Sequence, residues 1–216
     1  MNRIVYLHGF ASGPSSKKAR FFQERFAGLG IEMEIPDLAA GDFEHLTITS
    51  QLKVIERASR NEPVSLIGSS MGGYLAALYA AVHPEVDKLV LMAPAFSFVT
   101  RWPETLGQIR FDEWRTSGYL PVFHYGEGRE LQLRYDLIED GRFYEDYPNF
   151  QQPAIIFHGK NDAVVPAGYS ITFSQQHNQT TLHLLDSDHE LLDVMDFMWA
   201  ETRKFLLPVM SAHEAS

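Results

Sequence analysis

Gly68-Ser69-Ser70-Met71-Gly72 reads G-x-S-x-G with Ser70 at its centre. With 15 glycines and 15 serines in 216 residues, the pattern should arise by chance about 0.07 times in such a chain. Its chemistry is that of an activated serine. A hydroxyl held on a strained strand-to-helix turn projects at the edge of a sheet, and the helix amino terminus behind it favours developing negative charge. The apolar run 64–67 precedes the motif and a helical pattern over 72–83 follows it, which is the required context. Ser69 does not fit as nucleophile, because Ile67 and Met71 would flank it.

Such a serine needs a base and the base needs an acid. Of the nine histidines, His189 is best placed, four residues after the last apolar run in Asp186-Ser187-Asp188-His189. His8 and His158 each end a strand before a glycine and read as loop supports. The remaining histidines read as surface or helix-end residues. Asp162 follows the run 154–158 in His158-Gly159-Lys160-Asn161-Asp162 and is the expected acid. No carboxylate occurs in 93–101, the alternative place for it, and Asp186 and Asp188 lie too near His189 in sequence to be its natural partner. The chain order Ser70, Asp162, His189 is that of the nucleophile-elbow hydrolases and differs from both well-known protease orders.

An oxyanion is expected to be held by two backbone N–H groups, that of Met71 and that of Phe10 in the first strand-to-helix loop. The same loop fails as a phosphate cradle, which would need glycine where Pro14 stands, and as a dinucleotide fingerprint, which would need it at Ala11.

These residues must be brought to one edge by the elements between them. Runs at 3–7, 32–35, 64–67, 88–92, 154–158 and 181–185 read as strands, and mostly continuous apolar runs indicate a sheet covered on both faces. Helical spacing marks 16–28, 47–60, 72–83, 167–177 and 193–206. The alternation predicts an α/β fold with a mostly parallel six-stranded sheet and helices on both faces. Residues 95–150 break the rhythm. They show no convincing buried strand, and they hold 13 of the 27 aromatic residues. Two readings are open: a cap over the carboxyl edge of the sheet, or a partly helical excursion with its own small core. The expected division is a core of 1–94 and 151–207, an inserted cap of 95–150, and a tail of 208–216. Phe10, Trp102 and Trp114 are the candidate substrate contacts. The six arginines of the insertion could grip an acidic substrate, although ten carboxylates in the same stretch favour a mixed-charge, solvated surface.

Composition removes other classes. No cysteine is present, so disulfides, thiolate zinc sites and cysteine nucleophiles are excluded. A net charge of −10 argues against nucleic acid as a partner. No apolar run is long enough to span a membrane. The expectation is a soluble, cytoplasmic protein acting on a small molecule, with no metal and no cofactor.

The stretches Tyr6-Leu7-His8-Gly9-Phe10, Gly68-Ser69-Ser70-Met71-Gly72-Gly73-Tyr74, His158-Gly159-Lys160-Asn161-Asp162 and Ser187-Asp188-His189 resemble those of α/β-hydrolases. Among these the chain is similar to the compact bacterial esterases of the YqiA type. The resemblance implies a sheet that starts at the oxyanion strand, and an esterase-like activity. The length of 95–150 departs from compact members, so no substrate preference is carried over. The expected reaction is hydrolysis of a carboxylic ester through an acyl-enzyme on Ser70. Thioester, amide and carbon–carbon bond hydrolysis by the same residues, and a slowly turning-over receptor or scaffold, are the alternatives.

Overall fold

The computed structural model describes residues 3–207; the expected tail, 208–216, lies outside them. Six strands form one sheet: β1 (Arg3–Leu7), β2 (Met33–Glu34), β3 (Val64–Ser69), β4 (Val86–Met92), and two later strands, Ala154–Gly159 and Thr180–Leu185. Two strands intervene, β5 (Tyr119–His124) and β6 (Arg129–Arg134), so the later pair are β7 and β8. The sheet order is β2-β1-β3-β4-β7-β8, with every neighbouring pair parallel. All carboxyl ends therefore face one edge.

Alternate residues of each central strand enter opposite cores. Ile4, Tyr6, Ile67, Val90, Met92, Ile155 and Phe157 pack on one face with α1 (Lys17–Ala27) and α8 (Met195–Leu206). The stripe Ala19, Phe22 and Phe26 of α1 has no exposed surface, and each phenylalanine contributes about 1.5–3 kcal/mol by leaving water. Val5, Leu7, Leu66, Leu89, Leu91 and Ile156 pack on the other face with α2 (Ile48–Ser59), α3 (Met71–Val82) and α7 (Gly168–Gln176). Helix starts follow local chemistry: the Ser16 hydroxyl accepts from the Ala19 N–H, and Thr47 and Ser50 form a capping box.

Between β4 and β7 the chain makes α4 (Trp102–Leu106), α5 (Gln108–Ser117), the antiparallel hairpin β5–β6, and α6 (Asp136–Gly141). The hairpin is consistent with the expectation of no buried strand in this stretch, since both its strands are half-exposed, but the sequence did not reveal it. Leu120 and Leu133 are buried while Tyr119, Pro121 and Phe123 are exposed. Such alternation escapes a search for continuous apolar runs. The insertion has no separate core, because Trp114, Leu133, Leu137 and Ile138 join the cluster that contains α2 and α3. Polar contacts seal the same junction: Thr49 of α2 bonds the Asp140 carboxylate, and the Tyr74 hydroxyl donates to the Glu145 carbonyl. Among the described residues no helix is long and apolar enough to cross a membrane.

Glycines set the closest approaches at the β3–α3 junction. A Cβ on Gly72 would lie 2.2 Å from the Leu7 carbonyl oxygen, and one on Gly68 would lie 2.4 Å from the Gly72 oxygen. A Cβ on Gly13 meets nothing within 4 Å. Gly68→Ala and Gly72→Ala should each lower the unfolding free energy by about 3 kcal/mol or abolish folding, whereas Gly13→Ala should stay within about 0.5 kcal/mol of the parent. Urea unfolding midpoints measure both.

Candidate active site

Ser70 lies between β3 and α3 at φ 53°, ψ −117°. Its N–H donates to the Met92 carbonyl, while its own carbonyl accepts from Gly73, Tyr74 and Ala95. The turn is thus tied to β4 and to the first turn of α3. Met71, the first helical residue, has an N–H with no acceptor one turn behind it. Across the junction, a Cβ on Gly9 would lie 3.5 Å from Ser70 Cβ, so the Phe10 backbone runs beside the serine.

His189 and Asp162 come from the ends of β8 and β7. His189 Nδ1 donates to Asp162 Oδ2 at 2.7 Å, and the Ser70 hydroxyl lies 3.1 Å from His189 Nε2. With the proton carried on Nδ1 and directed at Asp162, the Nε2 lone pair faces the hydroxyl. The two loops are zipped together: Lys160 N–H donates to the Leu185 carbonyl and Asn161 N–H to the Ser187 carbonyl. A Cβ on Gly159 would strike the Asp188 carbonyl at 2.3 Å. Asp188 caps the His189 loop by accepting from the Glu190 and Leu191 amides. Lys18 of α1 donates to the Glu190 carbonyl at 2.8 Å. Burial pulls the pKa of this lysine below its usual value, against the opposing pull of Glu190, Asp162 and Asp188. Sequence reading missed Lys18, since 172 residues separate it from its partner.

Burial of the Asp162 side chain would raise its pKa, but hydrogen bonds from His158, His189 and the Val165 amide outweigh that and hold it well below the usual carboxylate range. His8 supports the first loop, with Nδ1 donating to the Gly9 carbonyl and Nε2 accepting from Leu38 N–H. Burial holds its pKa low, keeping the ring neutral.

The aromatic candidates separate. The Phe10 ring is half-buried, and its centroid lies 5.6 Å from those of Phe43 and Trp102 and 5.9 Å from that of Phe98. Trp114 stands behind Trp102, only 1% exposed, with its indole N–H donated to the Leu133 carbonyl. It therefore backs Trp102 and does not share a surface with Phe10. Among the described residues no cluster of three or more His, Asp or Glu side chains is arranged to hold a metal ion.

The depressed Asp162 pKa has a pH consequence. Because the folded state favours the ionised form, its contribution to stability is complete above the unfolded value of about 4 and is lost as pH falls below it. Relative to Asp162→Asn, the parent protein should lose stability as pH is lowered from about 5 to 3. Paired urea titrations check the sign.

Known proteins share this architecture. Mouse "Alpha/beta hydrolase domain-containing protein 10" superposes with a TM-score of 0.78 at 20% identity, covering 94% of this chain and 88% of that one. Est1E from Butyrivibrio proteoclasticus, in a structure with ferulic acid bound, gives 0.81 at 22% identity, covering 96% and 88%. A Mycoplasma pneumoniae protein named "Putative esterase/lipase 2" is 26% identical, over 84% of this chain and 79% of its own length. Residues 3–205 match the group described as "Uncharacterised protein family (UPF0227)", and the chain belongs to that family, built on the α/β-hydrolase fold.

Proposed function

We propose that the chain is a carboxylesterase-like serine hydrolase that cleaves a small-molecule ester through an acyl-enzyme. The observation that carries this reading is the hydrogen-bonded chain from Ser70 through His189 to Asp162, at 3.1 and 2.7 Å. Ser70 Oγ attacks the acyl carbon while its proton passes to His189 Nε2. The imidazolium is stabilised by the ionised Asp162 and then gives that proton to the departing alkoxide. Water, deprotonated by His189, attacks the acyl-enzyme and releases the acid, returning the proton to Ser70. The amides of Met71 and Phe10 hold the oxyanion in both steps, the first from a helix amino terminus and the second from the β1 loop beside Ser70.

The insertion acts as a cap in this reading. Phe10 and Phe98 leave partly exposed rings next to the oxyanion donors, with the buried Trp102 packed edge-on against both and Trp114 bracing Trp102 from behind. The same three catalytic side chains also serve thioester and amide cleavage. The commitment to an ester is supported by the esterase/lipase name of the mycoplasma relative and by the ferulic acid bound to Est1E.

On p-nitrophenyl acetate, Ser70→Ala should lower kcat/KM by about a thousandfold or more. Full activity in that variant would exclude Ser70 as the nucleophile. A fluorophosphonate probe should label Ser70 in the parent and fail to label the His189→Ala variant, read by mass spectrometry of the tryptic peptide. Absence of labelling in the parent, with stabilisation by ligands but no turnover, would instead favour a receptor.

A further inference from the structure

A second histidine stands behind the acid. His158, at the end of β7, has no exposed side-chain surface. Its Nε2 lies 2.8 Å from the Val165 carbonyl oxygen and 3.2 Å from Asp162 Oδ2. Both neighbours accept only, so this nitrogen must carry a hydrogen. Nδ1 lies 2.7 Å from the Ser170 hydroxyl, which can donate to it. The ring is thus fully satisfied as the neutral Nε2–H tautomer.

The same turn is gripped from the other side. Asp162 Oδ1 accepts from the Val164 and Val165 amides at 2.9 and 2.7 Å, and Oδ2 accepts from His189. Val165 is therefore held twice, its N–H by Asp162 and its C=O by His158. Ser170 fixes the ring to α7, so the 162–165 turn cannot swing without breaking the Val165 bond to an anchored His158. Of the other charged groups, Lys18 of α1 is the cation whose field reaches Asp162, and Asp188 of the His189 loop faces the same lysine.

We propose that His158 is a positioning residue, which clamps the 162–165 turn and presents a second N–H to Asp162 Oδ2, fixing the carboxylate that orients His189. The inference rests on the hydrolase reading above. It also explains why His158 and Asp162 stand four residues apart around a glycine that lets the His189 loop approach.

Two measurements decide it. Long-range proton–nitrogen NMR of the unmodified protein reads the tautomer without substrate or mutation. A proton on Nε2 of His158 is expected, and a ring carrying its proton on Nδ1 alone would overturn the proposal. In turnover of p-nitrophenyl acetate, His158→Leu should lower kcat by about 10- to 100-fold with little change in KM. In an Asp162→Asn background the same substitution should cost no more than about twofold, since the two residues act as a unit. Unchanged kcat, or equal losses in both backgrounds, would show a merely structural role. If His158→Leu does not fold, Ser170→Ala, which unlocks the ring without removing it, is carried through the same cycle. Failure of the parent to turn over any ester would count against the hydrolase reading, and the tautomer would still decide the role of His158.

Discussion

The turn from β3 into α3 places Ser70 in a backbone conformation that residues with a Cβ avoid, at a cost of about 1–3 kcal/mol. Its neighbours leave it no relaxed alternative. Gly72 lies against the Leu7 carbonyl, Gly68 against the Gly72 carbonyl, and Gly73 against Pro94. The hydrogen bonds of Ser70 run to β4 and into α3. A sheet packed on both faces supplies the free energy that keeps this turn strained, and the strain keeps the hydroxyl turned toward His189.

A second consequence of the same sheet is that loops far apart in sequence must meet at its carboxyl edge. They brace one another there. The acid loop after β7 and the histidine loop after β8 are joined by backbone hydrogen bonds and by the close fit at Gly159, and Lys18 reaches across from α1. The β1 loop is braced from the insertion. Tyr125 N–H, in the turn of the β5–β6 hairpin, donates to the Ala11 carbonyl, and Ala11 itself adopts φ 50°. Phe10 packs its ring on Trp102 of α4. The insertion therefore contacts the edge through backbone and side chain alike, and its buried residues belong to the core of the α2 and α3 face.

Much of this was legible beforehand because the signals are local. Continuous apolar runs marked the central strands, and helical spacing marked 16–28 and 47–60, where the structure places α1 and α2. The meeting of Ser70, Asp162 and His189 at one sheet edge was legible for the same reason, each lying within four residues of a strand end. The hairpin was not, because half-exposed strands carry a weaker pattern than buried ones. The place of Trp114 was not legible either. A tryptophan in an aromatic-rich stretch looks alike whether it faces a ligand or another ring, and only the packing against Trp102, Phe111 and Tyr135 distinguishes the two.

By itself, then, the sequence determined that a parallel sheet would deliver Ser70, Asp162 and His189 to one edge, since parallel strands joined by helices put every carboxyl end on the same side. Only the tertiary structure decided how those groups are held. The reach of Lys18 to Glu190 and the seat of the hairpin on the β1 loop depend on distances between segments more than a hundred residues apart. Such distances are set by how helices pack on the sheet, which no local pattern encodes.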